Sequence, residues 1–278
     1  MKYISLFAGI GGFDLALDRL GHECVYTSEW DKHATKVYET RFNRPVDTRD
    51  IRTVQTEEIP EHDLLVGGFP CQAFSVAGKR LGFDDTRGTL FFEIARILKD
   101  RQPKYFILEN VKGLLSHNSG QTFRTIVSTL TELGYDLQWN VLNSKNFGVP
   151  QNRERVYIVG HLRGQPRPKI FPITGKSCKI VRKKRNNISI ADFRYDEGLR
   201  IRKDFISPTL TVGNGGNGLS QVNYLLDGLK IRRLTEIECE RLQGFPDNWT
   251  ETIPSTQRYK CLGNAVTVNV VYEVAKNL

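Results

Sequence analysis

Short apolar runs recur along the first 160 residues of this 278-residue chain at intervals that leave room for a helix between most of them. "KYISLF" (2–7), "ECVYTSEW" (23–30), "DLLVGGF" (63–69), "KYFILEN" (104–110) and "RVYIVG" (155–160) are rich in β-branched and aromatic residues and have strand length. Between them, "DKHATKVYETRF" and "TLFFEIARILKDRQ" carry apolar residues at helical spacing. Strands that alternate with helices in this way predict an α/β fold with a doubly wound sheet, whose ligands bind outside the carboxyl ends of the strands. From about residue 162 the rhythm breaks into prolines, basic clusters and the glycine-rich "TLTVGNGGNGLS" (209–220), which predicts a smaller, loop-rich lobe. Helical periodicity returns in "LTEIECERLQG" and near "GNAVTVNVVYEVAKNL". The expected division is therefore a first domain over 1–164, completed by 260–278, and a second over 165–259.

Composition narrows the class. With 39% apolar and 26% charged residues the chain has ordinary globular balance, and no stretch approaches the roughly 18 uninterrupted apolar residues of a membrane span. The apolar start "MKYISLFAGIGGF" ends in glycines without a small-residue cleavage site and reads as a first strand, so a cytoplasmic protein is expected. The five cysteines are odd in number and far apart, with no C-x-x-C pair and no histidine at ligand spacing; neither a disulfide framework nor a metal site is expected. The net charge of +9 is concentrated. Residues 161–203 hold 13 Lys and Arg against 3 Asp and Glu, whereas the rest of the chain holds 27 against 28. Such a segment, centred on "KIVRKKRNN" (179–187), has a polyanion as its natural partner, although a short basic run taken alone is more often a solvated loop.

A few short stretches carry the chemistry. "FAGIGGF" (7–13) lies between a strand and a helix, with Gly9 and Gly11 opening a G-x-G-x-x-G turn whose third position is Asp14. Twenty residues after Gly9, Glu29 ends the second strand, where a carboxylate can accept ribose hydroxyls. Phe13 and Trp30 are placed to sandwich an adenine ring, and "RDI" (49–51) reads as the end of a further strand, with Asp50 able to bond an adenine amino group. This set points to an adenosine-containing cofactor, and the missing third glycine argues against a dinucleotide. "GGFPCQAFS" (67–75) puts Cys71 where the chain leaves the sheet edge. "ENV" puts Glu109 on the same rim, and "QNRERVY" (151–157) sets Arg153 and Arg155 on one face of a strand. Each has a plainer reading, as a core aromatic, helix cap, solvated acid or surface arginine. Their convergence on one sheet edge favours a site.

Taken in order, "FAGIGGF", "EWD", "DI", "GGFPCQAFS", "RGTLFFEIARIL", "ENV", "QNRERVY", "RRLTEIECERLQGFPDNW" and "YKCLGNAV" resemble the DNA (cytosine-5)-methyltransferases, in particular the small bacterial restriction-modification enzymes. The resemblance runs over nearly the whole chain. It implies a Rossmann-like sheet that binds S-adenosyl-L-methionine, with a target-recognition domain beside it. The implied cofactor-side residues are Phe7, Gly9, Gly11, Phe13, Glu29, Trp30, Asp50, Ile51, Pro70, Leu90 and Asn264. The implied catalytic residues are the nucleophile Cys71, the carboxyl Glu109, and Arg153 and Arg155.

The same resemblance implies methyl transfer to C5 of a cytosine flipped out of double-stranded DNA at a specific short sequence. Gln72, Ser75, Lys79 and Arg80, in or near a loop over 76–88 that resembles the one closing over DNA in the family, are the implied DNA contacts of the first domain. Lys183, Lys184, Arg185, Thr209, Gly215 and Gly216 are those of the second. The chain departs from close bacterial relatives at Ala77, where serine is common, and in the shortness of its recognition lobe. A monomer is expected, paired functionally with a restriction endonuclease, without a membrane, and cytoplasmic with nucleoid association when bound to DNA. A tRNA cytosine-5 methyltransferase would keep the chemistry, but the chain lacks the Cys-Phe-Thr tripeptide of that branch. A non-catalytic DNA-binding module would have no need of Cys71, Glu109 and Arg153. A thiol hydrolase or nicotinamide oxidoreductase fits less well, with no histidine beside Cys71 and an incomplete glycine turn.

Overall fold

The computed structural model describes residues 1–69, 90–173, 188–194, 198–202, 204–211, 223–227 and 230–278. A six-stranded sheet organises the first part of the chain, in the order β2-β1-β3-β4-β7-β5. Its strands are β1 (Lys2–Leu6), β2 (Glu23–Ser28), β3 (Leu64–Gly68), β4 (Tyr105–Val111), β5 (Tyr135–Asn143) and β7 (Glu154–Leu162). The first four are parallel, and β7 runs antiparallel between β4 and β5. This reversal brings the start of β7 to the same rim as the ends of β1, β3 and β4. The two-residue β6 (Gln151–Asn152) precedes β7 and pairs with β10 (Ser207–Pro208).

Side-chain alternation builds a core on each face. Tyr3, Leu64, Val66, Tyr105, Ile107, Tyr157 and Val159 point to one face, where α1 (Gly12–Arg19), α2 (Lys32–Phe42) and α7 (Val268–Ala275) cover them. Ile4, Leu6, Leu65, Phe106, Leu108, Val156 and Ile158 point to the other, under α3 (Leu90–Arg101) and α4 (Gln121–Glu132). The same period of two puts Glu109, Arg155 and the residue before β7, Arg153, on the α1/α7 side, and Asn110 on the opposite side. In α7, "VNVVYEVA", β-branched valines make a poor helix in isolation. Val268, Val270, Val271 and Val274 are buried completely or nearly so, each contributing roughly 1.5–3 kcal/mol, and this outweighs a propensity deficit of a few tenths per residue.

The second lobe carries more regular structure than its glycines and prolines predict. β8 (Ile188–Arg194), β9 (Gly198–Arg202), β11 (Asn223–Asp227) and β12 (Lys230–Arg233) form an antiparallel sheet in the order β12-β11-β8-β9. The chain also rejoins the first core earlier than residue 260. Leu234, Cys239 and Leu242, the last two on α5 (Glu236–Gln243), pack into it together with Phe245, Trp249 and Ile253, ahead of α6 (Ser255–Asn264). An apolar helix face and two aromatics need a core, and they share the one built on the main sheet, against which Leu225 of β11 also packs. The expected third strand end at "RDI" is absent: Asp47 makes a single parallel bridge to Ser28, and Ile51–Thr53 form a 3-10 turn. No described helix is long and apolar enough to cross a membrane.

Candidate active site

A cavity of about 510 Å³ opens at the rim where β1, β2, β3 and β4 end. Its floor is the turn after β1. Phe7, Gly9 and Gly11 all take positive φ (55°, 57° and 82°), which folds the backbone sharply enough for α1 to begin at Gly12. A Cβ at Gly9 would meet no atom within 4 Å, so this glycine faces open space, whereas one at Gly11 would collide with the Phe42 ring at 2.2 Å. The turn is held from two directions. Glu29 Oε2 accepts the Gly9 N–H at 2.8 Å while its Oε1 accepts the Asp31 N–H at 2.8 Å. From below, Trp249 Nε1 donates to the Ile10 carbonyl at 2.9 Å. Burial pushes the Glu29 carboxyl up from its ordinary range, against the opposing bonds from Asp31 and Gly9.

The walls fit an adenosine-bearing ligand. Phe7, Phe13, Trp30, Ile51 and Leu90 supply apolar surface, and Glu29, Asp50 and Asn264 supply polar groups at the same cavity. Trp30 is 63% exposed, a large apolar ring left at the cavity edge, with space for a planar partner. Asp50 caps the 3-10 turn by accepting the Arg52 N–H and is paired with the Arg52 guanidinium, which holds its carboxyl below the ordinary aspartate range. Gly11 is the one residue of the expected described cofactor set that does not line the cavity; it shapes the turn from behind.

At the other end of the cavity stand Glu109, Arg153 and Arg155. Gly68 pairs with Glu109 across the β3–β4 register, and a Cβ at Gly68 would stand 3.4 Å from Glu109 Oε2. Glu109 is 8% exposed and its Oε1 lies 3.1 Å from Arg155 Nε, an ion pair without a directed hydrogen bond. Burial raises the Glu109 carboxyl above its usual range, and the Arg155 and Arg153 charges only partly offset this. Next to it, Asn110 Nδ2 donates to the Phe69 carbonyl at 2.8 Å, fixing the chain at the last described residue before Pro70 and Cys71. Arg153 behaves differently from Arg155. It lies in a break between β6 and β7 rather than within one strand, and its guanidinium donates to the carbonyls of Leu210, Gly263 and Ala265 at 3.0, 3.1 and 2.8 Å.

Several expected positions lie outside the described residues: Pro70, Cys71, Gln72, Ser75, Lys79 and Arg80 in the first domain, and Lys183, Lys184, Arg185, Gly215 and Gly216 in the second. Thr209 is described, and its hydroxyl donates to the Asn152 carbonyl at 2.7 Å, so it ties its own segment to the end of β6. Residues not singled out from the sequence also shape the site. Trp249 supports the turn from behind, and Lys260 lines the cavity and pairs with Asp31 at 2.7 Å. Both belong to stretches, "GFPDNW" and "YKCLGNAV", whose aromatic and basic residues give a signal, but their partners are more than 200 residues away.

The family described as C-5 cytosine-specific DNA methylase matches the chain over residues 1–205 and 174–278. The Type II methyltransferase M.NgoBI of Neisseria gonorrhoeae is 43% identical, covering 99% of this chain and 92% of that protein. M.HhaI of Haemophilus parahaemolyticus is 37% identical, covering 100% and 94%. Among solved structures, the S. pombe Dnmt2 methyltransferase shares the fold, with a TM-score of 0.72 over 99% of this chain and 97% of that one, at 19% identity. The chain belongs to the C-5 cytosine-specific DNA methylases, enzymes whose cofactor is S-adenosyl-L-methionine.

Proposed function

We propose that this enzyme methylates C5 of a cytosine flipped out of a specific double-stranded DNA sequence, through a transient bond from Cys71 to C6, and so protects that sequence from a partner endonuclease. The observation that carries the mechanism is the rim itself. A buried carboxyl, raised in pKa and flanked by a guanidinium, stands beside the strand end from which the chain runs on to Cys71. Cys71 follows Gly68 by three residues, a span of at most about 11 Å in extended chain.

C5 of cytosine is a weak nucleophile until the ring is opened to addition at C6. In the proposed sequence the Cys71 thiolate adds to C6, its electron pair forming the C–S bond while the C5–C6 π pair moves toward C5. Glu109, protonated, donates to N3 as negative charge builds on the ring, and accepts from the 4-amino group with its other oxygen. Arg155 holds Glu109 in place and presents positive charge to the same edge. When bound, S-adenosylmethionine supplies an electrophilic methyl group; Phe7, Gly9, Phe13, Glu29, Trp30, Asp50, Ile51, Leu90 and Asn264 are the described residues that would hold it. Once C5 carries the methyl group, loss of the C5 proton to a base returns a pair to the C5–C6 bond as the C6–S bond breaks, releasing the thiolate, and the N3 proton goes back to Glu109.

A stacked duplex hides C6 from any side chain, so the base must leave the helix. The basic segment over 161–203 and the recognition lobe support a duplex partner. The test is expression in a host without DNA methylation, followed by bisulfite sequencing. Cytosines protected from conversion at one short sequence, and absent when Cys71→Ala is expressed, are the expected result. Full conversion with soluble wild-type enzyme would reject the reading.

A further inference from the structure

Between the cavity and the second lobe lies a buried polar cluster that the chemistry above does not use. Gln151, Gln243 and Arg153 are 0%, 0% and 2% exposed. Three chain segments meet on them. Gln151 Oε1 accepts the Leu210 N–H at 3.0 Å, and Arg153 donates to the Leu210 carbonyl, so both backbone groups of Leu210 are bound. Gln151 Nε2 donates to the Leu242 carbonyl at 2.8 Å, and Gln243 Nε2 to the Leu262 carbonyl at 2.7 Å. The second half of the Arg153 fork holds the carbonyls of Gly263 and Ala265, on either side of Asn264 in the cavity wall.

A buried guanidinium tolerates its surroundings only while they solvate it, here chiefly with carbonyl dipoles, and the directions of those dipoles are tightly constrained. Leu210 lies two residues before the glycine-rich stretch at 212–220, and β10, three residues before it, is paired to β6. A shift of the 207–210 segment therefore changes the solvation of Arg153 directly. Gly263 and Ala265 are the other groups able to compensate, because they share the same planar fork.

We infer that Arg153, supported by Gln151 and Gln243, is a positioning residue that links the recognition lobe to the cofactor pocket: engagement of specific DNA through the lobe resets the 263–265 wall and tightens cofactor binding. This rests on the DNA-methylation reading above. By reciprocity, cofactor tightens specific DNA binding by the same factor.

The experiment measures the dissociation constant of S-adenosylhomocysteine by calorimetry, with the duplex the enzyme methylates and with an unrelated duplex. The wild type is expected to show a ratio of at least about fivefold. Arg153→Lys keeps the charge but loses the fork, and should bring the ratio close to one, whatever its absolute affinity. A retained ratio in that variant overturns the inference. Hydrogen exchange on the wild type provides a second measurement that needs no variant to fold. Specific duplex without cofactor should slow exchange at amides 261–266, and protection confined to 207–211 overturns the inference. An enzyme that methylates its site but has a ratio of one also overturns it, with the function standing. An enzyme that methylates no DNA overturns both.

Discussion

Glu109 is buried at the rim, beside the Arg155 guanidinium and the end of β3. Burial raises its carboxyl above the ordinary value of 4.5, so the folded chain favours the protonated form. That preference contributes fully to stability below the unfolded value and is lost as pH rises through the folded one. Glu109→Gln does not titrate. Its melting temperature relative to wild type should therefore climb as pH rises above the ordinary carboxyl value and level off once the wild-type carboxyl has ionised, measured by paired thermal scans. In single-turnover methylation the wild-type rate should fall as pH rises through the raised pKa, and Glu109→Gln should lack this limb and be slower by roughly 10²–10⁴-fold. Glu109 is legible in the sequence because a carboxylate at the end of an apolar run must lie on the rim. The work of Arg153 is not, because its partners are backbone carbonyls 57 and 110 residues further along, which carry no residue-type signal.

The elements show a similar division. The buried strands β1, β3, β4 and β7 follow from their apolar runs to within two residues at each end. β5 does not, because it is an edge strand whose alternation of Tyr135, Leu137, Trp139 and Val141 with polar residues is only half-buried. Glycines and charges hide the second sheet, since antiparallel strands with one wet face need no continuous apolar run. Packing is tight between β4 and β7. Gly160 on β7 faces Phe106 on β4, and a Cβ there would stand 2.0 Å from the ring. Gly160→Ala should lower unfolding stability by about 1–3 kcal/mol, read from the urea midpoint. At the glycine turn, Trp249→Phe keeps the ring packing but strands the Ile10 carbonyl. It should weaken S-adenosylhomocysteine binding several-fold in calorimetry, with a smaller effect on melting.

At the scale of the molecule, the charge excess and the proposed catalytic groups are separated along the chain. The rim groups come from the first 155 residues, while 161–203 holds the entire net positive excess. Replacing Lys183, Lys184 and Arg185 by glutamine should weaken binding to every duplex alike and reduce the slope of log affinity against log salt by about 0.9 for each phosphate left without its cation. An unchanged slope would make that run a solvated surface.

The proposed covalent step can be tested with a duplex that carries 5-fluorocytosine at the methylated position. Fluorine cannot leave C5 as a cation, so a ring that has received both Sγ and a methyl group cannot eliminate. With S-adenosylmethionine present, a DNA-linked protein band should persist through denaturing electrophoresis, mass spectrometry should place the link on the peptide containing Cys71, and Cys71→Ala should show none. Methylation of ordinary cytosine at C5 by an enzyme that is never trapped, or a link on another cysteine, would contradict the mechanism.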